Sequence, residues 1–92
     1  MMTGGEVSND PLAALRGRFL ARAAEDLAWI RASGGAPAEE LLARVHKLAG
    51  SGGVFGHPQV SAAAAAVEDA LREGEPVDLG PLVAVLEALP QP

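Results

Sequence analysis

The stretch HKLAGSGGVFG, residues 46 to 56, sets a histidine one turn ahead of the first of four glycines. A neutral imidazole is both a nucleophile and a proton acceptor near neutral pH, so His46 is the residue best suited to do chemistry here. Glycine inside a helix costs about 1 kcal/mol relative to alanine, so four of them this close together need a reason. Other chemistries are excluded by what is missing. The chain has no cysteine, which removes disulfides, thiolate zinc sites and thiol nucleophiles. It has no HExxH or EF-hand pattern, and His46 and His57 lie about three turns apart along one helix, so a His46–His57–Glu68 metal site is not expected. Gly50-x-Gly52-x-x-x-Gly56 loosely fits a dinucleotide fingerprint, but that motif follows a strand, and here a helix precedes it. No Gly-Lys-Ser/Thr follows to make a phosphate loop.

Four helical segments have to position the histidine. Asp10-Pro11 marks a helix start, with aspartate as cap and proline at the first helical position. Leu12, Leu15, Phe19, Ala23, Leu27 and Ile30 then form one stripe at three- and four-residue steps, and Ser33-Gly34-Gly35 ends it. Trp29 falls off the centre of that stripe, as a boundary-packing residue would. Pro37 restarts the chain, and Glu39 and Glu40 suit the positive end of a second helix. Leu41, Val45, Leu48, Gly52 and Phe55 share a face, so this helix is predicted to run to about Phe55. Gly56-His57-Pro58 breaks it, with His57 in a loop or capping role. A third helix over 58–73 is expected to bury Val60, Ala63, Ala64, Val67, Ala70 and Leu71, ending at Gly74. Asp78 is expected to cap a shorter fourth helix carrying Leu82, Val85, Leu86 and Leu89, stopped by Pro90. No segment alternates as a strand does, and the links are short. The expectation is an all-α, up-down-up-down antiparallel four-helix bundle over residues 10–90, preceded by a flexible tail at 1–9.

Advancing about 100° per residue from Val45 on the core stripe puts His46 at the edge of the exposed face. Its helical neighbours are Leu42, Ala43, Ala49, Gly50 and Gly53, and all but one are alanine or glycine. Gly50 and Gly53 project to the histidine's side, whereas Gly52 faces the core. The imidazole therefore stands on a patch with almost nothing tall beside it. The second and third helices turn near His57, with His46 eleven residues before the turn and Glu68 eleven after it. In an antiparallel pair the two share a level, so Glu68 could accept the Nδ1–H of His46, fix its tautomer and leave Nε2 free.

His46-Lys47-Leu48-Ala49-Gly50-Ser51, followed by Gly53 and Gly56, resembles the phosphoacceptor motif of histidine-containing phosphotransfer (HPt) domains, H-x-L-K-G-S-x-x-x-x-G. The resemblance extends from about Leu41 to Gly74 and includes Val67-Glu68. It implies a four-helix bundle that relays a phosphoryl group between aspartates of response-regulator receiver domains in bacterial two-component phosphorelays. His46 would be the phosphoacceptor, Gly50 the glycine that leaves room for the receiver, and Glu68 the hydrogen-bond partner of the imidazole. The receiver would dock over Ala43, Ala49, Gly50 and Gly53, with Lys47 and Arg44 contributing charge. The protein would be a phosphocarrier with no autokinase activity and no cofactor of its own, the Mg²⁺ being supplied by the receiver. The expected partners are receiver domains and a sensor or hybrid histidine kinase. One departure stands out: the family often has lysine three residues after the histidine, where this chain has Ala49. Lys47 is adjacent in sequence but points about 100° further round, and compensates only in part. The alternative is a degenerate, non-phosphorylated helical module that binds a receiver or kinase domain as a regulator.

Composition narrows the partners further. With 92 residues, 49% hydrophobic and 21% charged, the chain reads as one globular domain. A net charge of −5, with six arginines and only Lys47 beside them, leaves no strongly basic face for nucleic acid. No apolar run approaches the ~20 residues of a membrane span, and MMTGGEVSND lacks the features of a signal peptide. A cytoplasmic, free-standing monomer that binds neither membrane nor nucleic acid is expected.

Overall fold

The computed structural model describes residues 10–91; the tail expected at 1–9 lies outside the described residues. The chain forms α1 (Pro11–Ser33), α2 (Ala38–Gly52), α3 (Pro58–Glu73) and α4 (Gly80–Glu87), with no strand among the described residues. Each helix packs on its neighbours in the chain and α4 closes back on α1, giving a four-helix bundle. The core is a single cluster: Phe19, Ala23 and Ile30 of α1, Leu41, Val45 and Leu48 of α2, Val60, Ala64 and Val67 of α3, and Leu82 and Leu86 of α4.

The helix ends follow local chemistry. Asp10 Oδ1 accepts the Leu12 N–H at 2.9 Å, so aspartate caps α1 while Pro11 occupies a position that needs no donor. Gly34 ends α1 at φ 69° with its N–H on the Ile30 carbonyl. Regular α2 stops at Gly52, three residues before Phe55, yet Phe55 N–H still reaches Ser51 O at 3.1 Å. Gly56, at φ 86°, then reverses the chain, with His57 N–H on Gly52 O at 2.7 Å and Gly56 N–H on Gly53 O at 3.3 Å. This is a glycine-terminated end whose last turn is loosened.

Further details depart from the expected pattern, and Ala63, Ala70 and Leu71 of α3 are half-buried, not buried. Leu12 and Leu15 are 48% and 40% exposed, because α1 has 23 residues against 15 in α2 and its first turns run beyond the bundle. Asp26 is only 1% exposed, whereas Leu27 is half-buried, so the buried face of α1 is rotated toward Asp26 at that level. Leu79, not Asp78, holds the cap position of α4; Asp78 Oδ1 instead accepts the Gly80 N–H at 2.9 Å, a turn that leads into the helix.

α2 and α3 approach each other closely at Gly52. A Cβ built on Gly52 would stand 2.8 Å from Ser61 N and 3.0 Å from His57 O, so only glycine lets the two backbones come this near. Ser61 Oγ donates to the Ala49 carbonyl across the same crossing. His57 occupies the cap position of α3 but makes no side-chain cap; its ring stacks on Phe19 with centroids 5.4 Å apart. Arg31 pairs with Glu87 and ties α1 to α4.

Candidate functional site

His46 lies on the solvent side of α2, its side chain 68% exposed, and its Nδ1 is 2.7 Å from Glu68 Oε2 on α3. Glu68 is mostly covered, at 14%. Arg72, one turn further along α3, donates to the same oxygen from Nη2 at 2.9 Å and from Nε at 3.2 Å. The Arg72 hydrogen bonds, followed by that from His46, hold the Glu68 carboxyl below its ordinary value of 4.5. An ionised carboxylate can only accept, so the short contact puts the proton on Nδ1. In the neutral imidazole the lone pair is then on Nε2.

The glycines around the ring have different jobs. Gly50 and Gly53 are exposed, and a Cβ on either would meet nothing within 4 Å. No packing among the described residues explains them, so the cost in helix propensity at Gly50 leaves a clear approach to the imidazole. Gly52 belongs to the helix crossing described above.

The remaining residues of the predicted site are spread around α2. Ala43 is exposed beside the ring, and Ala49 is half-buried against the core with its carbonyl taken by Ser61. Lys47 lies toward α1, where it lines a groove with Leu15, Phe19, Gly50 and Phe55. Gly50 therefore forms the low rim between the imidazole and this groove of about 670 Å³. Arg44 is already engaged. Its Nη1 donates to Asp26 Oδ1 at 2.6 Å, its Nη2 to Glu40 Oε2 at 2.6 Å, and the guanidinium lies 4.7 Å over the Trp29 ring. Any charge it offers a partner is shared with these groups.

Arg72 and Asp26 were not singled out from the sequence. Arg72 has a legible signal, its spacing of four residues from Glu68 on one helix. Asp26 has none, since a carboxylate inside an apolar stripe reads as a break in the stripe. Among the described residues no three His, Cys, Asp or Glu side chains gather as a metal site. Among the same residues no helix is long and apolar enough to cross a membrane.

The fold and site define a class: a helical bundle that presents one exposed histidine backed by a carboxylate on the adjacent helix. The chain belongs to the Hpt domain family, whose model it matches over residues 14–91. Members of that family are phosphocarrier modules of phosphorelays rather than enzymes, and work with receiver domains and histidine kinases. No curated protein and no solved structure matches the chain significantly.

Proposed function

We propose that this protein relays a phosphoryl group between receiver-domain aspartates through a phosphohistidine on His46. The observation that carries this reading is the pairing of an exposed imidazole, held through Nδ1 by Glu68, with a glycine patch that no internal packing requires. Nε2 attacks the phosphorus of a receiver's aspartyl phosphate; the N–P bond forms as the acyl O–P bond breaks, and the carboxylate departs on the receiver. The Nδ1 proton stays on the ring, and Glu68 offsets the positive charge the ring develops. Reversal passes the group to the next aspartate. The receiver supplies the Mg²⁺ and the acidic pocket, and this chain supplies position. It takes phosphate only from a partner and has no autokinase activity.

The docking patch on this reading is Ala43, Ala49, Gly50 and Gly53, with Lys47 and Arg44 at its edge. Such contacts are small and transient, in keeping with a carrier that must exchange partners in the cytoplasm. The test is transfer from a panel of phosphorylated receiver domains. Wild type acquires an acid-labile, base-stable phosphate, and His46→Gln acquires none. Label that persists in His46→Gln, or that is absent from wild type across the panel, overturns the proposal. Receiver binding without label would instead favour a regulator that no longer accepts phosphate, a reading to which Ala49 in the usual place of lysine lends weight.

A further inference from the structure

Three N–H groups from two helices converge on one oxygen. Glu68 Oε2 accepts from His46 Nδ1 at 2.7 Å and from Arg72 Nη2 and Nε at 2.9 and 3.2 Å. The acceptor is the covered member of the trio, while the side chain of Arg72 is 55% exposed. As a stability device this Glu–Arg pair is weak, because an ion pair between side chains four residues apart on a helix surface contributes little. Its geometry does something else. A glutamate has several freely turning bonds, and the last of them is broad, so a carboxylate reaching from α3 to α2 is not held there by its own rotamer. Arg72 grips Oε2 from the α3 side and leaves that oxygen facing Nδ1.

We infer that Arg72 is a positioning residue: it holds the Glu68 carboxylate aimed at His46, and thereby keeps the imidazole proton on Nδ1 and Nε2 bare. The inference rests on His46 as the phosphate-accepting residue and concerns what sets the form of its ring. Arg72 acts through Glu68. Its hydrogen bonds go to the Glu68 carboxylate, and the glycine patch by which a partner reaches Nε2 is on the other helix.

The test reads the ring directly. In the full chain labelled with ¹⁵N-histidine, at a pH where the rings are neutral, wild-type His46 shows a protonated Nδ1 and an unprotonated Nε2. Arg72→Ala shifts His46 toward the Nε2–H form, while His57, stacked on Phe19, is unchanged and serves as the internal control. Phosphate uptake from the small donor phosphoramidate falls about two- to tenfold, the scale of one lost hydrogen bond. Arg72→Lys restores part of both signals. In a Glu68→Ala background, Arg72→Ala adds no further loss. A His46 tautomer unchanged in a folded Arg72→Ala variant overturns the inference. So does an additive loss in the double variant, which would place Arg72 in direct contact with the phosphoryl donor. The NMR signature needs no phosphate, so it decides the role of Arg72 even if wild type were to take none, an outcome that counts against the phosphotransfer reading alone.

Discussion

The α-carbon of Gly52 faces the backbone of Ser61 so closely that a methyl group on it would stand 2.8 Å from the Ser61 nitrogen. Backbone cannot rotate out of the way as a side chain can. Gly52→Ala is therefore expected to destabilise the bundle by roughly 1–3 kcal/mol through overpacking. Urea unfolding measures this directly, and a variant as stable as wild type would mean that the α2–α3 crossing yields more easily than the packing indicates.

Gly50, half a turn away, behaves oppositely. A methyl group there meets nothing, so Gly50→Ala is expected to stabilise the fold by about 0.5–1 kcal/mol through helix propensity alone. Gly50→Leu is expected to keep its helicity but to block phosphotransfer, because the added side chain fills the rim beside His46. Circular dichroism and transfer from a phosphorylated receiver separate the two effects. Full transfer in a folded Gly50→Leu protein would remove the role assigned to the cleared patch.

Loss of the carboxylate at position 68 should slow phosphate uptake by about tenfold, since the ring would lose the acceptor that fixes its tautomer. Glu68→Gln is expected to recover part of that loss, because an amide oxygen can still accept the Nδ1–H. Time courses of labelling for the three proteins give the comparison. Wild-type kinetics in Glu68→Ala would reduce the contact to a surface ion pair.

Asp26 makes the stability of the bundle depend on pH. Burial pushes its carboxyl above the ordinary 3.8, against the opposing pull of the Arg44 hydrogen bond. One of its oxygens, Oδ2, is buried without a hydrogen-bond partner among the described residues. The folded protein holds this proton more tightly than the unfolded chain does. Its contribution favours the fold below pH 3.8 and is lost as pH rises through the raised folded value. Asp26→Asn has no charge to bury, so its stability relative to wild type should increase between about pH 4 and about pH 7. Urea titrations at the two pH values test the sign. A difference that shrinks toward neutral pH would show that the Arg44 pair outweighs desolvation.

Much of this was legible in the sequence, because helices are written locally. The 3.6-residue period, Asp10-Pro11, Gly34, Gly56 and Gly74 carry their own reasons to start, run and stop, and α3 begins and ends where its punctuation places it. The turn near His57 set His46 and Glu68 at one level, and the bundle brings Nδ1 and Oε2 to 2.7 Å. Wheel angles were enough to separate Gly52 from Gly50 and Gly53.

What the tertiary structure decided depends on where a neighbouring helix stops or crosses. Leu12 and Leu15 continue an apolar stripe, yet the bundle leaves both of them exposed. Asp26 is buried and meets Arg44, whose guanidinium lies over Trp29, an arrangement that no spacing within α1 encodes. Arg72 looks like one surface cation among six arginines until α2 brings a histidine to the same oxygen. The sequence alone determined the helices, the exposed histidine and the face on which it stands. Packing decided which charges share a partner and which glycines the fold requires, because both depend on distances between segments far apart in the chain.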